Sequence, residues 1–363
     1  MHRRVAVVTG SRAEFGLLTP VMRAIASHEA LQLATVAAGM HWVDQTWRDI
    51  ETAGFTIDAA VQMQLRGVTG RNADAAALGR GVSGFAQVLD ELRPDVVLVL
   101  GDRIEAFAAA SAASVGGLFV GHIHGGDRAE GVADEAMRHA ITKLSHLHFP
   151  ATPGSETRII HMGEDPACVH RVGSPAVDGL DAIEPDADAP AVIVMMHPVG
   201  DESQVEQQRM AAVLEATREH RRAVFMPNSD PGRAGIVDAI EAERDAADVE
   251  VIDHLPRERF LAMLRGARAI VGNSSAGLIE AAALGVACVN VGTRQRGRER
   301  AANVIDVEHA EVATLRRAVD EAMDSDCKGL THPYGDGGAG PRIAAVLAQV
   351  EWERLSVRKC CVY

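Results

Sequence analysis

Short runs of apolar, often β-branched residues recur along the chain, each followed by a longer stretch whose apolar positions return at helical spacing. In the first half these runs are VAVVT (5–9), LATVAAG (33–39), VVLVLGD (96–102), GLFVGHI (117–123) and HLHF (146–149). Such runs predict strands buried on both faces, and the helical stretches between them predict βαβ units around a parallel sheet. A second series predicts a second sheet of the same kind: AVIVMMH (191–197), AVFMPN (223–228), VEVID (249–253), ARAIVGN (267–273) and VACVNVG (286–292). Between the two series, LDAIEPDADAP (180–190) breaks the pattern with Pro, Asp and Ala and reads as an interdomain linker. The expectation is an α/β chain of two doubly wound domains, 1–180 and 190–340. A last helical stretch and tail, 341–363, is expected to pack back on the first domain. Open sheets of this type bind ligands beyond the carboxyl ends of their strands, so two facing sheets predict a cleft between them.

Composition narrows the function. A formal net charge of −14 over 363 residues argues against broad nucleic-acid binding. No run approaches the roughly 20 apolar residues that a membrane span needs, and the N-terminal MHRRVAVVTGSR reads as a first strand rather than a signal peptide. The five cysteines include no CxxC pair, as expected of reduced thiols in a cytoplasmic protein.

Polar clusters fall where the strands are predicted to end. Thr9-Gly10-Ser11-Arg12 follows the first strand and offers backbone N–H groups and a cation to an anion, although it lacks GxGxxG spacing. Asp102, after VVLVL, is readable either as a functional carboxylate at the sheet edge or as a cap of the next helix. In His122-Ile123-His124-Gly125-Gly126-Asp127, strand alternation puts both histidines on one face. That spacing suits a metal or an acid/base loop; no HExxH motif or cysteine companion accompanies it. Asp134 and Glu135 then open a helix, where i,i+4 pairing with Arg138 and His139 is the structural alternative. His197, before Pro198, ends the first strand of the second series. Asn273-Ser274-Ser275 reads as the cap of a helix through EAAALG, so that N–H groups, hydroxyls and the helix dipole converge on one phosphate-sized spot. Glu280 stands further along to meet ribose hydroxyls, and Arg294, Arg296 and Arg298 concentrate positive charge suited to a pyrophosphate.

Taken in register, these segments resemble the hydrolysing UDP-N-acetylglucosamine 2-epimerases of the bacterial sialic and legionaminic acid pathways. The resemblance runs through VTGSRAEFGLL, AAGMH, VLVLGDRIE, GHIHGGD, DEAMRHAITKLSHLHF, RVGSPAVD, HPV, MPNSD, GNSSAGLIEAAALG and GTRQRGRE. It implies a glycosyltransferase-B type of fold, two Rossmann-like domains facing a nucleotide-sugar cleft, with no cofactor and no metal. It also implies a UDP-sugar substrate, UDP-GlcNAc or a UDP-2,4-diacetamido-trideoxyhexose, and a homo-oligomer, dimer or tetramer. The implied reaction eliminates UDP to a glycal, then adds water at C1 and a proton at C2 to release a ManNAc-type sugar. Carried over by position, Asp102 and Glu135 are acid/base carboxylates, Asp134 their neighbour, and His197 stands near the sugar–phosphate bond. Arg12, Ser274, Ser275 and Arg294 surround the phosphates, Glu280 binds ribose, and the backbone near Leu255 meets uracil. His41 and Asn228 are substrate-contact candidates. Relatives place a Glu where this chain has His124, or where it has Asp127, and both are candidate catalytic residues. The alternatives are a non-hydrolysing epimerase, a retaining glycosyltransferase of the same fold, and a non-catalytic UDP-sugar-binding protein.

Overall fold

The computed structural model describes residues 2–130, 134–228 and 230–362. Among these, the chain divides into two compact units, one of 2–127, 134–178 and 335–362, the other of 128–130 and 179–334.

The first unit carries β1 (Arg3–Thr9), β2 (Leu31–Ala38), β3 (Ala59–Val61), β4 (Val96–Leu100), β5 (Phe119–Ile123) and β6 (Leu147–Phe149). All neighbours are parallel, in the order β3-β2-β1-β4-β5-β6. Its principal helices are α1 (Arg12–Ser27), α2 (Arg71–Leu92), α3 (Ile104–Val115), α4 (Glu135–Leu144) and α5 (Pro153–His161). Strand alternation divides the apolar residues between two cores. Val5, Val7 and Leu98 face Leu18, Met22 and Ile25 of α1 with Ile343 and Leu347 of the C-terminal helix. Ala6, Val8, Val97 and Val99 face Phe85 of α2 and Ala109 of α3.

The second unit repeats the plan with β7 (Val192–Met195), β8 (Arg222–Phe225), β9 (Val249–Ile252), β10 (Ala269–Gly272), β11 (Ala287–Val291) and β12 (Val304–Val307), ordered β12-β11-β10-β7-β8-β9. In each sheet the hydrophobic pattern finds five strands and misses one outer strand, β3 or β12. Both are short, and each carries a single fully buried residue, Val61 and Val307.

The segment read as a linker is instead pinned to the second unit. Arg265 donates to the carbonyls of Leu180 (3.0 Å) and Ile183 (2.5 Å), and Asp186 N–H donates to Ala262 O (2.9 Å). Gly266 lies so close that a Cβ there would stand 2.3 Å from Asp186 O.

The chain's end belongs to the first unit. The helix Ala339–Gln349 packs on α1, its first N–H groups accepted by the Asp178 carboxylate at 2.9 and 2.7 Å. Beyond it, Lys359 reaches buried Glu164 (2.5 Å), which also binds Lys143 and His148. These partners offset burial and hold the Glu164 carboxyl down to about 2. Among the described residues no helix is long and apolar enough to cross a membrane.

Candidate functional site

In the first unit the strand order reverses between β1 and β4, so the loops leaving these two strands diverge and open a crevice at the carboxyl edge. The loop after β4 carries Gly101 (φ 74°) and Asp102. Asp102 does not cap the following helix: Arg103 holds that position, without a side-chain capping bond, and its guanidinium pairs with Glu105. The Asp102 carboxylate instead accepts from Arg138 of α4. The other terminal nitrogen of Arg138 donates to Glu135 Oε2 (2.6 Å) and to the Asp127 carbonyl (3.2 Å). Arg138 is 3 % exposed, whereas Asp102 and Glu135 are 21 % and 20 % exposed. Two solvent-reaching carboxylates are thus held on one buried guanidinium. Glu135 also approaches His139 (3.3 Å), the i,i+4 pair expected from sequence. Asp134 occupies the N-cap of α4, its carbonyl accepting the Arg138 N–H; residues 131–133 before it lie outside the described set.

The HIHGGD stretch separates its two histidines. β5 ends at Ile123, and His124 turns into the left-handed region (φ 62°), so strand alternation does not carry through to it. His122 is fully buried, donating from Nε2 to Gly101 O (2.7 Å) with Nδ1 at Thr142 Oγ1 (3.1 Å). Burial lowers its pKa to about 3, and its neutral ring props the residue before Asp102. His124 lies between Asp127 Oδ2 (2.8 Å) and Ser174 Oγ (2.9 Å). Among the described residues no group of three His, Cys, Asp or Glu side chains is placed to hold a metal. Gly126 (φ 74°) fits because a Cβ would stand 2.3 Å from Ser155 O. Gly126→Ala is therefore expected to cost about 1–3 kcal/mol in urea unfolding.

The turn after β1 is filled from within rather than left open to an anion. Gly10 N–H donates to Glu14 Oε2 (2.6 Å), and Arg12 pairs with Asp49 (2.5 Å). His41 is fully buried, with Nε2 at Thr9 Oγ1 (3.0 Å), Nδ1 at Thr46 Oγ1 (2.7 Å), and a pKa lowered by burial to about 4. Neither of its ring nitrogens is open to a ligand in this arrangement.

In the second unit the order reverses between β7 and β10. The loops there are locked together: His197 N–H donates to Asn273 Oδ1 (2.7 Å), and Asn273 Nδ2 donates to His197 O (2.8 Å). Asn228 N–H donates to His197 Nδ1 (3.3 Å), which leaves the ring proton on Nε2. Burial, with Arg294 adding, lowers this ring's pKa to about 3, so it is a neutral hydrogen-bond donor. Asn228 Nδ2 holds Asp230, while its Oδ1 is buried without a hydrogen-bond partner.

The long helix expected after Asn273-Ser274-Ser275 does not form. Ser274 Oγ accepts from Ala276 N–H (3.4 Å) at the head of a single 3-10 turn, Ser275–Gly277, and an α-helix runs only over Glu280–Leu284. Gly277 lies against Cys288, where a Cβ would meet Sγ at 2.4 Å. The two half-buried serines therefore contribute hydroxyls and a turn, without the dipole of a long helix. Arg294 and Gln295 donate to Asn273 O (3.3 and 2.9 Å). Arg296 is paired with Glu308, whereas Arg298 Nε is buried without a partner. Glu280, 6 % exposed, pairs with Arg257 (3.1 Å), and Leu255 lies half-buried in the loop after β9. At the same edge a cavity of ≈ 190 Å³ is lined by Met196, Asp201, Arg209, Asn273, Thr293 and His309.

The structure thus gathers Asp102 and Glu135 in one unit with Asp127 and His124 behind them, and His197, Asn228, Ser274 and Arg294 in the other. Sequence reasoning treats Arg138 only as a helix-surface partner of Asp134, and it passes over Ser155, Ser174 and the support from His122. The one available signal for Arg138 is its spacing one helical turn after Glu135.

A family model described as UDP-N-acetylglucosamine 2-epimerase matches residues 23–348. The chain is 35 % identical, over the whole of both chains, to the UDP-N,N'-diacetylbacillosamine 2-epimerase (hydrolyzing) of Legionella pneumophila. It is 31 % identical to the UDP-N-acetylglucosamine 2-epimerase of Neisseria meningitidis, over 88 % of this chain and 87 % of that one. Among solved structures, that of the Methanocaldococcus jannaschii UDP-GlcNAc 2-epimerase in complex with UDP-GlcNAc and UDP matches with a TM-score of 0.80. It covers 95 % of this chain and 99 % of that chain at 18 % identity, a likeness of fold.

Proposed function

Since the chain belongs to the UDP-N-acetylglucosamine 2-epimerase family, we propose that it is a hydrolysing 2-epimerase of a UDP-2-acetamido sugar. In this reaction a base takes the C2 proton while the C1–O bond to UDP breaks, leaving a glycal. Water then supplies hydroxyl to C1, and an acid returns a proton to C2 from the opposite face. The products are UDP and a free sugar of ManNAc configuration.

The observation that carries this reading is the pair Asp102 and Glu135, held on Arg138 at the switch point of the first sheet. The C2 proton is only weakly acidic, and its removal calls for a fixed carboxylate. Two differently placed carboxylates supply the two proton transfers. Asp134, at the head of the same helix, and Asp127, through its contact with Arg138, are the further candidates. Leaving-group charge falls to the second unit. The neutral His197 ring donates from Nε2, and Ser274, Ser275 and Arg294 are the proposed donors to a diphosphate. The full-length likeness to a relative named as hydrolysing and acting on a diacetamido sugar favours release of free sugar over UDP-ManNAc.

The test is incubation of the purified protein with UDP-GlcNAc and, separately, UDP-2,4-diacetamido-2,4,6-trideoxyglucose in D2O. UDP and a free sugar deuterated at C2 are expected, the diacetamido substrate turning over faster. UDP-ManNAc as sole product would assign the non-hydrolysing reaction, and transfer to an added acceptor without C2 exchange would assign a glycosyltransferase. Asp102→Asn and Glu135→Gln are each expected to lower kcat by about 10²–10⁴-fold while UDP binding, measured by calorimetry, stays near wild type.

A further inference from the structure

Behind the carboxylate–arginine group, four buried side chains form one hydrogen-bonded chain. Ser174 Oγ lies 2.9 Å from His124 Nε2, His124 Nδ1 lies 2.8 Å from Asp127 Oδ2, and Ser155 Oγ donates to Asp127 Oδ1 at 2.7 Å. A carboxylate only accepts, so His124 Nδ1 carries a proton and donates to Asp127; in the Nδ1–H tautomer Nε2 accepts the Ser174 hydroxyl. Ser174 Oγ accepts in turn from Ala176 N–H at 3.1 Å. In that tautomer every donor of the chain meets an acceptor.

The backbone around them is equally determined. The left-handed conformation of His124 disfavours a residue with a Cβ, and its N–H is held by Phe149 O at 3.1 Å. A Cβ on Gly125 would stand 2.8 Å from His122 Nδ1. Strain of this kind persists where surrounding contacts over-determine a conformation, and it gathers at working sites. Arg138 from α4 donates to the Asp127 carbonyl, Arg158 from α5 to Gly126 O and, at 3.4 Å, to Ser155 Oγ, and His122 on β5 senses both His124 and Asp127. Among the described residues the chain meets the site through Arg138. The Asp127 carbonyl accepts from the Arg138 nitrogen that also holds Glu135.

We propose that Ser174 and Ser155 are positioning residues that fix the His124 tautomer and the Asp127 carboxylate. Through the Asp127 carbonyl they set Arg138, and so the placement of Asp102 and Glu135. The consequence for turnover rests on the epimerase reading; the proton arrangement does not. The test therefore pairs kinetics with a long-range ¹H–¹⁵N correlation of the histidine rings in the full-length protein. Wild type is expected to show His124 protonated on Nδ1. Ser174→Ala is expected to disturb that tautomer and to lower kcat by about 10–100-fold with KM within about twofold, and Ser174→Thr to restore both. Ser155→Ala is expected to act in the same direction. A wild-type His124 protonated on Nε2 would overturn the proposal whether or not the protein turns over. So would Ser174→Ala with wild-type kcat, or with a loss of kcat that tracks lowered thermal stability and leaves the ring spectrum unchanged. If wild type releases no UDP from either sugar, the epimerase reading falls and the ring spectrum alone decides the proton arrangement.

Discussion

Arg138→Met is expected to lower kcat/KM for the UDP-sugar by about 10³-fold or more, and Arg138→Lys to recover little of it. The reason is the fork: one terminal nitrogen serves Asp102, the other serves Glu135 and the Asp127 carbonyl. An ammonium is a single point and cannot span those directions. Methionine keeps much of the bulk but leaves two partly exposed carboxylates without their shared cation. Breaking a buried pair costs about 3–5 kcal/mol when both groups are enclosed. Asp102 and Glu135 are each about one-fifth exposed, so the lower end of that range is expected in urea unfolding. UDP affinity, which the proposed function places on residues of the second unit, should change little. Wild-type kcat/KM in Arg138→Lys would remove the guanidinium fork from the mechanism.

Glu14→Gln is expected to abolish most of the fall in folding stability between pH 5 and pH 8.5. Glu14 lies buried against Gly10 N–H, and desolvation, with Glu105 adding, raises its pKa to about 8 from an ordinary 4.5. The folded protein keeps this proton up to about pH 8, whereas the unfolded chain releases it from about pH 4.5. The native state thus binds more protons across that window, and its stability declines as pH rises through it. At 1.36 kcal/mol per pH unit the full window corresponds to about 5 kcal/mol at most. Glutamine can accept the same N–H bond and carries no charge, so urea midpoints of the variant should change far less with pH. An unaltered wild-type slope in Glu14→Gln would place the alkaline sensitivity elsewhere. His41 and His122 act at the other end. Their lowered pKa values keep them neutral in the fold, and stability falls as pH drops from about 6.5 toward 4.

The sheets are largely legible because buried parallel strands such as VVLVL are continuous apolar runs bounded by Gly and Asp. Outer strands lack that mark: Val304–Val307 includes Asp306, which is occupied by Asn290 and Arg300. The carboxyl-edge positions of Asp102, His124, His197 and Asn273 follow from strand ends alone. Their partners do not, because the link from Arg138 to Asp102 spans 36 residues and Ser174 stands 50 residues from His124. The break after Gly277 is only weakly marked in GNSSAGLIEAAALG, where Gly277 alone disfavours a helix. There Gly277 lies close to Cys288, a tertiary contact that local propensity does not register.

The return of residues 335–362 to the first unit bears on how the molecule is made. The core around α1 includes Ile343, Leu347 and Trp352, so the first half of the nascent chain emerges with that core incomplete. At about 5–20 residues per second, synthesis of the intervening second unit takes on the order of ten to thirty seconds. The second unit, continuous from 179 to 334 apart from the short 128–130 stretch, can complete its core first. The earlier-made unit waits for residues 335–362 to complete the core around Leu18, Val21 and Ile25.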